Sequence, residues 1–320
     1  MAGGFNQRKK DELSPRPQIY FLRLPLYALW VAASIAILGP AMAHVVPDIL
    51  RKDEYSYILI IPLLAATIVY MERKTIFQRT FFDVPLAALF LVSALLTLCP
   101  VMLLGKNWSQ TDRLAGYICA LILYWTAGFA LLFGRRAFRL SRFAMLFLFL
   151  TIPLPGFLSN HLIHLLEKGS AEISAVIFDL TGVPYLRDGL TFHLAKVNIE
   201  VAPQCSGIRS SMALLILALL VAHFALHSFW RQTVLVVAGI CVMIVKNGIR
   251  IVTLTLLASY VDPSFLHGRL HHDGGVLFFL LGLLMLLPCL WFLQRSEKAI
   301  EKIEDTSAAP TVTNIDRGKV

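Results

Sequence analysis

The sequence predicts an all-α polytopic membrane protein. We expect about eight transmembrane helices and a small extracytoplasmic insertion, a helix plus a β-hairpin, before the sixth. Three observations predict this class. Hydrophobic residues make up 57% of the 320 residues and charged residues only 15%, whereas soluble domains carry roughly 25% charged residues. The apolar residues form long runs, and the basic residues are concentrated in short gaps between those runs.

The apolar runs define the predicted spans, because a helix needs about 20 mostly apolar residues to cross a bilayer. The fifth run contains Pro153 and Pro155, which a membrane helix tolerates when neighbouring helices satisfy the freed backbone groups. The predicted spans are 25–46, 56–71, 84–104, 114–133, 142–158, 206–226, 232–259 and 274–294.

The charge of the gaps predicts the orientation. Basic gaps are the N-terminal tail, 71–79, 134–142, 227–232 and the tail from Arg295, and mixed or slightly acidic gaps alternate with them. The positive-inside rule then places both termini in the cytoplasm. The net charge of +9 is thus explained by topology, and nucleic acid is not a predicted partner.

This topology divides the chain into three parts. Residues 1–24 form a basic cytoplasmic tail, residues 25–296 the membrane domain, and residues 297–320 a polar, disordered cytoplasmic tail. The longest gap, 159–205, is predicted to lie outside and to begin with an interfacial helix. From residue 190 to 201, apolar residues alternate with a period of two after the Asp188-Gly189 turn signal, which predicts a small sheet or hairpin.

Among the five cysteines, Cys205 alone has polar neighbours. It lies where the outer sheet meets the sixth span, next to Ser206 and Gly207. Unpaired N–H groups and the dipole at a helix start favour an anion, and Arg209, four residues later, adds a positive charge on the same face. The position therefore favours a nucleophilic thiolate. The alternative is a cysteine that only fills space.

The other four cysteines lie in apolar stretches and have neither metal nor disulfide spacing. We expect them to act as small apolar residues. They are Cys99, Cys119, Cys241 and Cys289. No metal and no other cofactor is predicted.

Arg250 lies about nine residues from the outer end of the seventh span, roughly 13 Å deep at 1.5 Å per residue. An arginine at this depth costs at least a few kcal/mol and points to function. Lys246 and Asn247 lie one turn earlier, and two cations on one face predict a nearby anion or a cluster of carbonyl groups. The alternative is a structural ion pair, for example with Glu200.

His271 and His272 begin the eighth span from the outside. A cysteine nucleophile needs a base and a proton donor for its leaving amine, and histidine titrates in the useful range. Gly275 follows closely and leaves room for backbone or substrate. The alternative is that both histidines only form hydrogen bonds at the membrane interface. A thiol, an intramembrane cation and an imidazole thus fall at one outer-leaflet depth on three consecutive spans.

Three segments, IEVAPQCSGIRSS, KNGIRIV and HHDGGVLFF, resemble the signature segments of the exosortase/archaeosortase family. The stretches DEYSYILIIPLLAATIVYMER and FLTIPLPGFL also resemble that family, so the likeness runs from about 50 to 290. It implies that Cys205, Arg250 and one of the two histidines are catalytic. A pattern similar to H-x-x-x-G selects His271, with Gly275 at its fourth following position and His272 as a neighbour. Arg209 and Asn247 are then supporting residues, the first near the thiolate and the second orienting Arg250.

The resemblance implies a membrane-embedded cysteine protease or transpeptidase, a functional analogue of sortases. The implied substrates are secreted proteins that end in a tripartite sorting signal, of the PEP-CTERM type. Such a signal has a short motif, a transmembrane helix and a basic end. The enzyme is expected in the cytoplasmic membrane of a prokaryote with its active site facing outward. It would transfer the new carboxyl end to an acceptor nucleophile of unknown identity.

Two other classes remain open from the residues. Lys246 and Arg250 could line the anion path of a transporter or channel. That hypothesis does not explain a cysteine and histidines at the same depth, and matching inverted repeats are not apparent in the sequence. The chain could also be a non-enzymatic component of polysaccharide export, in which case the outer sheet would bind a partner and loss of the thiol would be silent.

Overall fold

The computed structural model describes residues 18–43, 46–47, 55, 57–201, 208–262 and 275–308. Side chains are described within these ranges except at 18–21, 208–209 and 301–308. The chain divides into two compact units, residues 1–161 and 162–320. Most of the described chain is helical, with one small sheet in the second unit.

The first unit consists of helices. Two of them have well-formed N-caps: the Asp83 carboxylate accepts from the backbone N–H of Leu86 at 3.0 Å, and the Ser109 hydroxyl accepts from that of Asp112 at 3.0 Å. Such caps satisfy backbone donors that have no partner within the helix. The helices are α1 Gln18–Ala43, α2 Ile60–Met71, α3 Arg73–Ile76, α4 Val84–Leu104, α5 Gln110–Leu140 and α6 Arg142–Leu148.

The predicted fifth span, 142–158, is not one continuous helix. Helix α6 continues as a 3₁₀ turn, Phe149–Thr151, and residues 153–155 are not helical. Helix α7, Gly156–Thr181, then begins at an angle of 91° to the preceding segment. Pro153 and Pro155 account for the break, because proline lacks an N–H and disfavours a helical conformation in the residue before it.

The second unit contains most of α7, the sheet and three further helices. The sheet strands are β1 Tyr185–Asp188, β2 Thr191–Leu194 and β3 Asn198–Glu200, in the order β1-β2-β3 and all antiparallel. The helices are α8 Ile208–Ala225, α9 Phe229–Tyr260 and α10 Gly275–Ala308. Each of these three helices packs against the other two.

The predicted hairpin is confirmed. Asp188 pairs with Thr191 across the turn, and Gly189 has a φ of 57°, which glycine adopts without steric cost. The inward-facing residue of β2, Phe192, is fully buried against Phe178 of α7, with ring centroids 5.5 Å apart. The period-two alternation therefore identified the face of the sheet that packs on the helices.

The structure confirms a mostly helical, multi-pass membrane protein, but it does not confirm the count of eight spans. Five described helices are long and apolar enough to cross a bilayer, and the bent α6–α7 segment could make a sixth. Helix α2 has 12 residues, about 18 Å at 1.5 Å per residue, which is short of the roughly 30 Å hydrocarbon core. Helix α8 is the other apolar helix below the full length.

The last helix continues to Ala308, into the segment that composition predicted to be a disordered tail. Glu297 fastens this part of α10 to the turn between α8 and α9. Its carboxylate accepts from the backbone N–H of Ser228 at 2.8 Å and of His227 at 3.2 Å, and it forms an ion pair with Arg231 at 3.4 Å. These contacts extend helical order beyond the apolar run, which the polar composition did not reveal.

Candidate active site

Lys246 is the largest buried charged group on α9, with only 1% of its surface exposed. Its ammonium donates a hydrogen bond to the hydroxyl of Ser210, in the first turn of α8. Its Cδ lies 3.4 Å from the position that a Cβ on Gly282 of α10 would occupy. The side chain therefore lies where the three helices meet, and its charge is directed toward the beginning of α8.

Asn247, the next residue of α9, points toward α7 instead. Its amide donates to the hydroxyl of Ser170 at 2.9 Å in a buried contact. The Ser174 hydroxyl donates to the Ser170 carbonyl at 2.8 Å and reaches the Gly248 carbonyl at 3.4 Å. The described hydrogen bond of the Asn247 amide is thus directed to α7, and its predicted role in orienting Arg250 stays a prediction.

Helices α7 and α9 approach closely because Gly248 of α9 has no side chain. A Cβ at this position would lie 2.5 Å from Cγ2 of Ile173 and 3.3 Å from the Ser170 carbonyl oxygen. Small residues at such crossings let helix backbones pack tightly, and serine hydroxyls add hydrogen bonds between them. The sequence contains one signal for this contact, the serines at 170 and 174 at helical spacing.

Arg250 lies one turn beyond Lys246 on α9 and is half-buried. The two residues that follow it, Ile251 and Val252, are 4% and 3% exposed and belong to a buried cluster. That cluster also contains Phe192 of β2 and Val201, which lies directly after β3. The sheet is thus packed on α9 immediately beside Arg250.

An exposed ion pair joins the sheet to α7. The Arg187 guanidinium of β1 donates to the Glu172 carboxylate at 2.6 Å and 3.2 Å, a two-pronged arrangement. The hydrogen bond to Glu172 raises the pKa of Arg187. Exposed ion pairs contribute little free energy in general. The buried cluster that contains Phe192 therefore determines how the sheet packs on α7 and α9.

Several predicted site residues lie outside the described residues: Cys205, Ser206, Gly207, His271 and His272. The side chain of Arg209 is also outside them. The flanking elements are described. Helix α8 begins at Ile208, shortly after Cys205 in the chain, and α10 begins at Gly275, shortly after the two histidines. Among the residues that the structure describes, no atom lies within 4 Å of where a Cβ on Gly275 would be. Within the described part of the chain, no three histidine, cysteine or carboxylate side chains cluster as metal ligands would.

The pattern of the family described as transmembrane exosortase (Exosortase_EpsH) matches residues 49–288. The chain belongs to the exosortase family. The match includes α8, α9 and the beginning of α10, and with them the positions of Cys205, Arg250 and the two histidines. No curated protein and no solved structure matches the chain. Exosortase membership indicates a membrane transpeptidase of the cysteine type in general terms, and it agrees with the several apolar helices of the fold.

Proposed function

We propose that this exosortase cleaves a C-terminal sorting signal with Cys205 as the nucleophile and Arg250 and His271 as its catalytic partners. One observation carries the proposal: the chain on both sides of Cys205 is anchored to the same short stretch of α9. On the upstream side Val201 is buried with Ile251 and Val252. On the downstream side Ser210 accepts the hydrogen bond from Lys246.

The two anchor points on α9, Lys246 and Ile251, are five residues apart, about 7.5 Å along a helix. Cys205 follows Val201 by four residues, and an extended chain gains at most about 3.3–3.6 Å per residue. Chain connectivity therefore supports a thiol that works beside Arg250, which lies between the two anchors. No comparable anchor is described for the histidines, whose role rests on the family resemblance and on chemical need.

The proposed reaction begins when the Cys205 thiolate attacks the scissile carbonyl carbon and forms the carbon–sulfur bond. The carbonyl electrons move to oxygen, and the Arg250 guanidinium stabilises that oxyanion. Collapse of the tetrahedral intermediate breaks the carbon–nitrogen bond, and His271 donates a proton to the leaving amine. The product of this half-reaction is a thioester between Cys205 and the new carboxyl end of the substrate.

The second half-reaction returns the enzyme to its starting state. His271 now accepts a proton from an amine acceptor or from water, and the resulting nucleophile attacks the thioester carbonyl. Loss of the thiolate yields an amide or a free carboxylate and restores Cys205. His272, Ser206 and Gly207 would shape the surroundings of the reacting groups, and Arg209 would hold the thiolate by charge.

The proposed substrate is a secreted protein with a Pro-Glu-Pro-like motif, a transmembrane helix and a basic end. Its helix would lie in the membrane against α8–α10, which places the motif at the outer face near the sheet. This arrangement requires both termini of the enzyme to be cytoplasmic, in agreement with the distribution of basic gaps. The membrane would be the cytoplasmic membrane of a prokaryote.

The test uses cells that express the enzyme with a tagged candidate substrate carrying such a signal. Cys205→Ala and Cys205→Ser are each expected to abolish processing on an anti-tag blot while the enzyme still accumulates in the membrane. Cys241→Ala is the control, because Cys241 is an exposed free thiol on α9 outside the proposed site. Continued processing by Cys205→Ala would refute the nucleophile assignment.

A further inference from the structure

The first unit contains an open apolar cavity of about 390 Å³ that the proposed chemistry does not use. Four helices, α1, α2, α5 and α6, and the short α3 with the turn after it provide its walls. Its described lining residues are apolar except for tyrosine and tryptophan edges and the charged side chain of Arg73. Ligand pockets in proteins commonly have volumes of roughly 300–1,000 Å³, so this space is large enough for a substantial part of a ligand.

The cavity lies at the basic end of the unit, by which we mean the end formed by the 71–79 and 134–142 connections and the beginning of α1. Its described lining residues lie within 24–31 of α1, 62–70 of α2, 125–129 of α5 and 144–148 of α6, together with Arg73 and Phe77 of the 71–79 connection. Six further cations belong to these two connections: Lys74, Arg79, Arg135, Arg136, Arg139 and Arg142. One described acidic partner of this group is Asp83, which pairs with Arg135 at 3.4 Å, and a second carboxylate, Glu72, precedes Arg73 in the chain.

Water does not suit this cavity, because a buried water needs two to four polar partners. In a bilayer, an apolar space that opens at the protein surface is accessible to hydrocarbon chains. Ala66 of α2 lines the cavity and is itself exposed, so the opening lies at least partly along α2. This short helix leaves room that a full-length span would fill.

Arg73 is held in a conformation suited to a phosphate. Its guanidinium lies 3.8 Å from the centroid of the Tyr70 ring and donates one hydrogen bond to the Tyr70 carbonyl at 2.6 Å. No carboxylate of the described residues forms an ion pair with it. A guanidinium has five N–H donors in a planar fork that matches phosphate oxygens, so donors remain for a ligand at the cavity wall.

A second cavity, of about 410 Å³, provides an internal comparison. It lies toward the opposite end of the same unit and shares Pro62 and Trp125 with the first cavity. None of its described lining residues is charged, and the polar groups among them are the Thr151 hydroxyl and the Trp125 indole N–H. Both ends of the unit therefore have an apolar cavity. Among the described lining residues, a cation is found in the wall of the cavity at the basic end and not in that of the second cavity.

We propose that the cavity at the basic end binds one anionic phospholipid from the adjacent leaflet. An acyl chain occupies the apolar space, and the phosphate binds the Arg73 guanidinium, with Lys74 adding positive charge nearby. Basic pockets between membrane helices are suited to anionic headgroups. The proposal concerns the first unit alone and does not depend on the reaction assigned to Cys205.

Native mass spectrometry of the full-length, delipidated protein in detergent tests the proposal, with phosphatidylglycerol and phosphatidylcholine titrated separately. Wild type is expected to retain one phosphatidylglycerol at a concentration at which phosphatidylcholine is not retained. Arg73→Gln should weaken phosphatidylglycerol binding by about fivefold or more. Arg136→Gln, which removes an exposed arginine of the basic end outside the cavity lining, should leave binding nearly unchanged.

A second pair of variants tests the acyl site. Ala66→Phe should block retention of the lipid by filling the cavity from its exposed edge, whereas Thr67→Phe adds the same ring to an exposed neighbour outside the lining. Equal losses in Arg73→Gln and Arg136→Gln would show diffuse attraction to the basic end and overturn the site. Equal retention of the two lipids by wild type, or unchanged retention in Ala66→Phe, would overturn it as well.

Discussion

The buried ammonium of Lys246 on α9 donates a hydrogen bond to the hydroxyl of Ser210 in the first turn of α8. A charge removed from water needs such partners, because an unpaired buried charge is strongly unfavourable. The bond therefore links the stability of the three-helix core to the position at which α8 begins. Because the two residues are in contact, the changes in unfolding free energy caused by substituting each of them are not expected to be additive.

Ser210→Ala is expected to lower the free energy of unfolding by about 1.5–3 kcal/mol, because it removes the hydroxyl from a buried cation. Lys246→Met should cost less, since an apolar side chain of similar length replaces the charge. Adding Ser210→Ala to Lys246→Met should then have little further effect. Thermal unfolding in detergent measures all three variants.

Ser211→Ala is the matched control for this pair. Ser211 is 3% exposed, and within the described part of the chain its hydroxyl has no hydrogen-bond partner. Its removal should leave the melting temperature unchanged or raise it. If Ser210→Ala is equally costly with and without Lys246, the hydrogen bond does not provide the coupling.

Arg250→Gln is predicted to reduce processing of the sorting signal by about 10²–10³-fold, the range found when a donor to a developing oxyanion is removed. Arg250→Lys should retain more activity, because charge is kept while the planar fork is lost. The rate is followed by blotting the tagged substrate over time. The control is Arg295→Gln, the same substitution on α10. This variant should process the substrate at the wild-type rate.

Much of the second unit could be predicted from the sequence, because hydropathy and a period of two are local patterns. The strand alternation predicted the small sheet, in which Phe192 is buried along with Val201 directly after it, and the Asp188-Gly189 pair located the turn. The contact between Asn247 and Ser170 joins residues 77 positions apart, and no local pattern encodes such a distance. The break after Thr151 was missed because Pro153 and Pro155 are compatible both with a kinked span and with a helix end.

Gly248→Ala is predicted to destabilise the crossing of α7 and α9, since the new methyl group would lie 2.5 Å from Cγ2 of Ile173. Overpacking of this kind costs about 1–3 kcal/mol. Combining it with Ile173→Ala removes the nearest atom and should restore part of the loss. The melting temperature in detergent reports both effects.

Gly239→Ala provides the comparison on the same helix. A Cβ there would lie 3.3 Å from the Cβ of Ala218, a contact that a small shift can relieve. Its cost should therefore be well below that of Gly248→Ala. Similar melting temperatures for the two variants would mean that the α7–α9 crossing is looser than the structure shows.

Phe192→Ala is predicted to impair both stability and processing. The ring is fully buried among Phe178, Val201 and the α9 residues beside Arg250, and truncation of a buried phenylalanine costs about 3–5 kcal/mol. Because Val201 is the described anchor ahead of Cys205, loosening this cluster should also misplace the nucleophile relative to Arg250. Processing should therefore fall even at a temperature at which the protein remains folded in the membrane.

Leu186→Ala separates this effect from a general weakening of the sheet. Leu186 lies on the neighbouring strand β1 and is 71% exposed, so its truncation should change neither the melting temperature nor the processing rate appreciably. Both variants are compared at equal membrane abundance, with Arg250→Gln as the inactive reference. Normal processing by a folded but destabilised Phe192→Ala protein would show that the sheet does not position the cysteine, and the anchoring argument for Cys205 would then lose its upstream support.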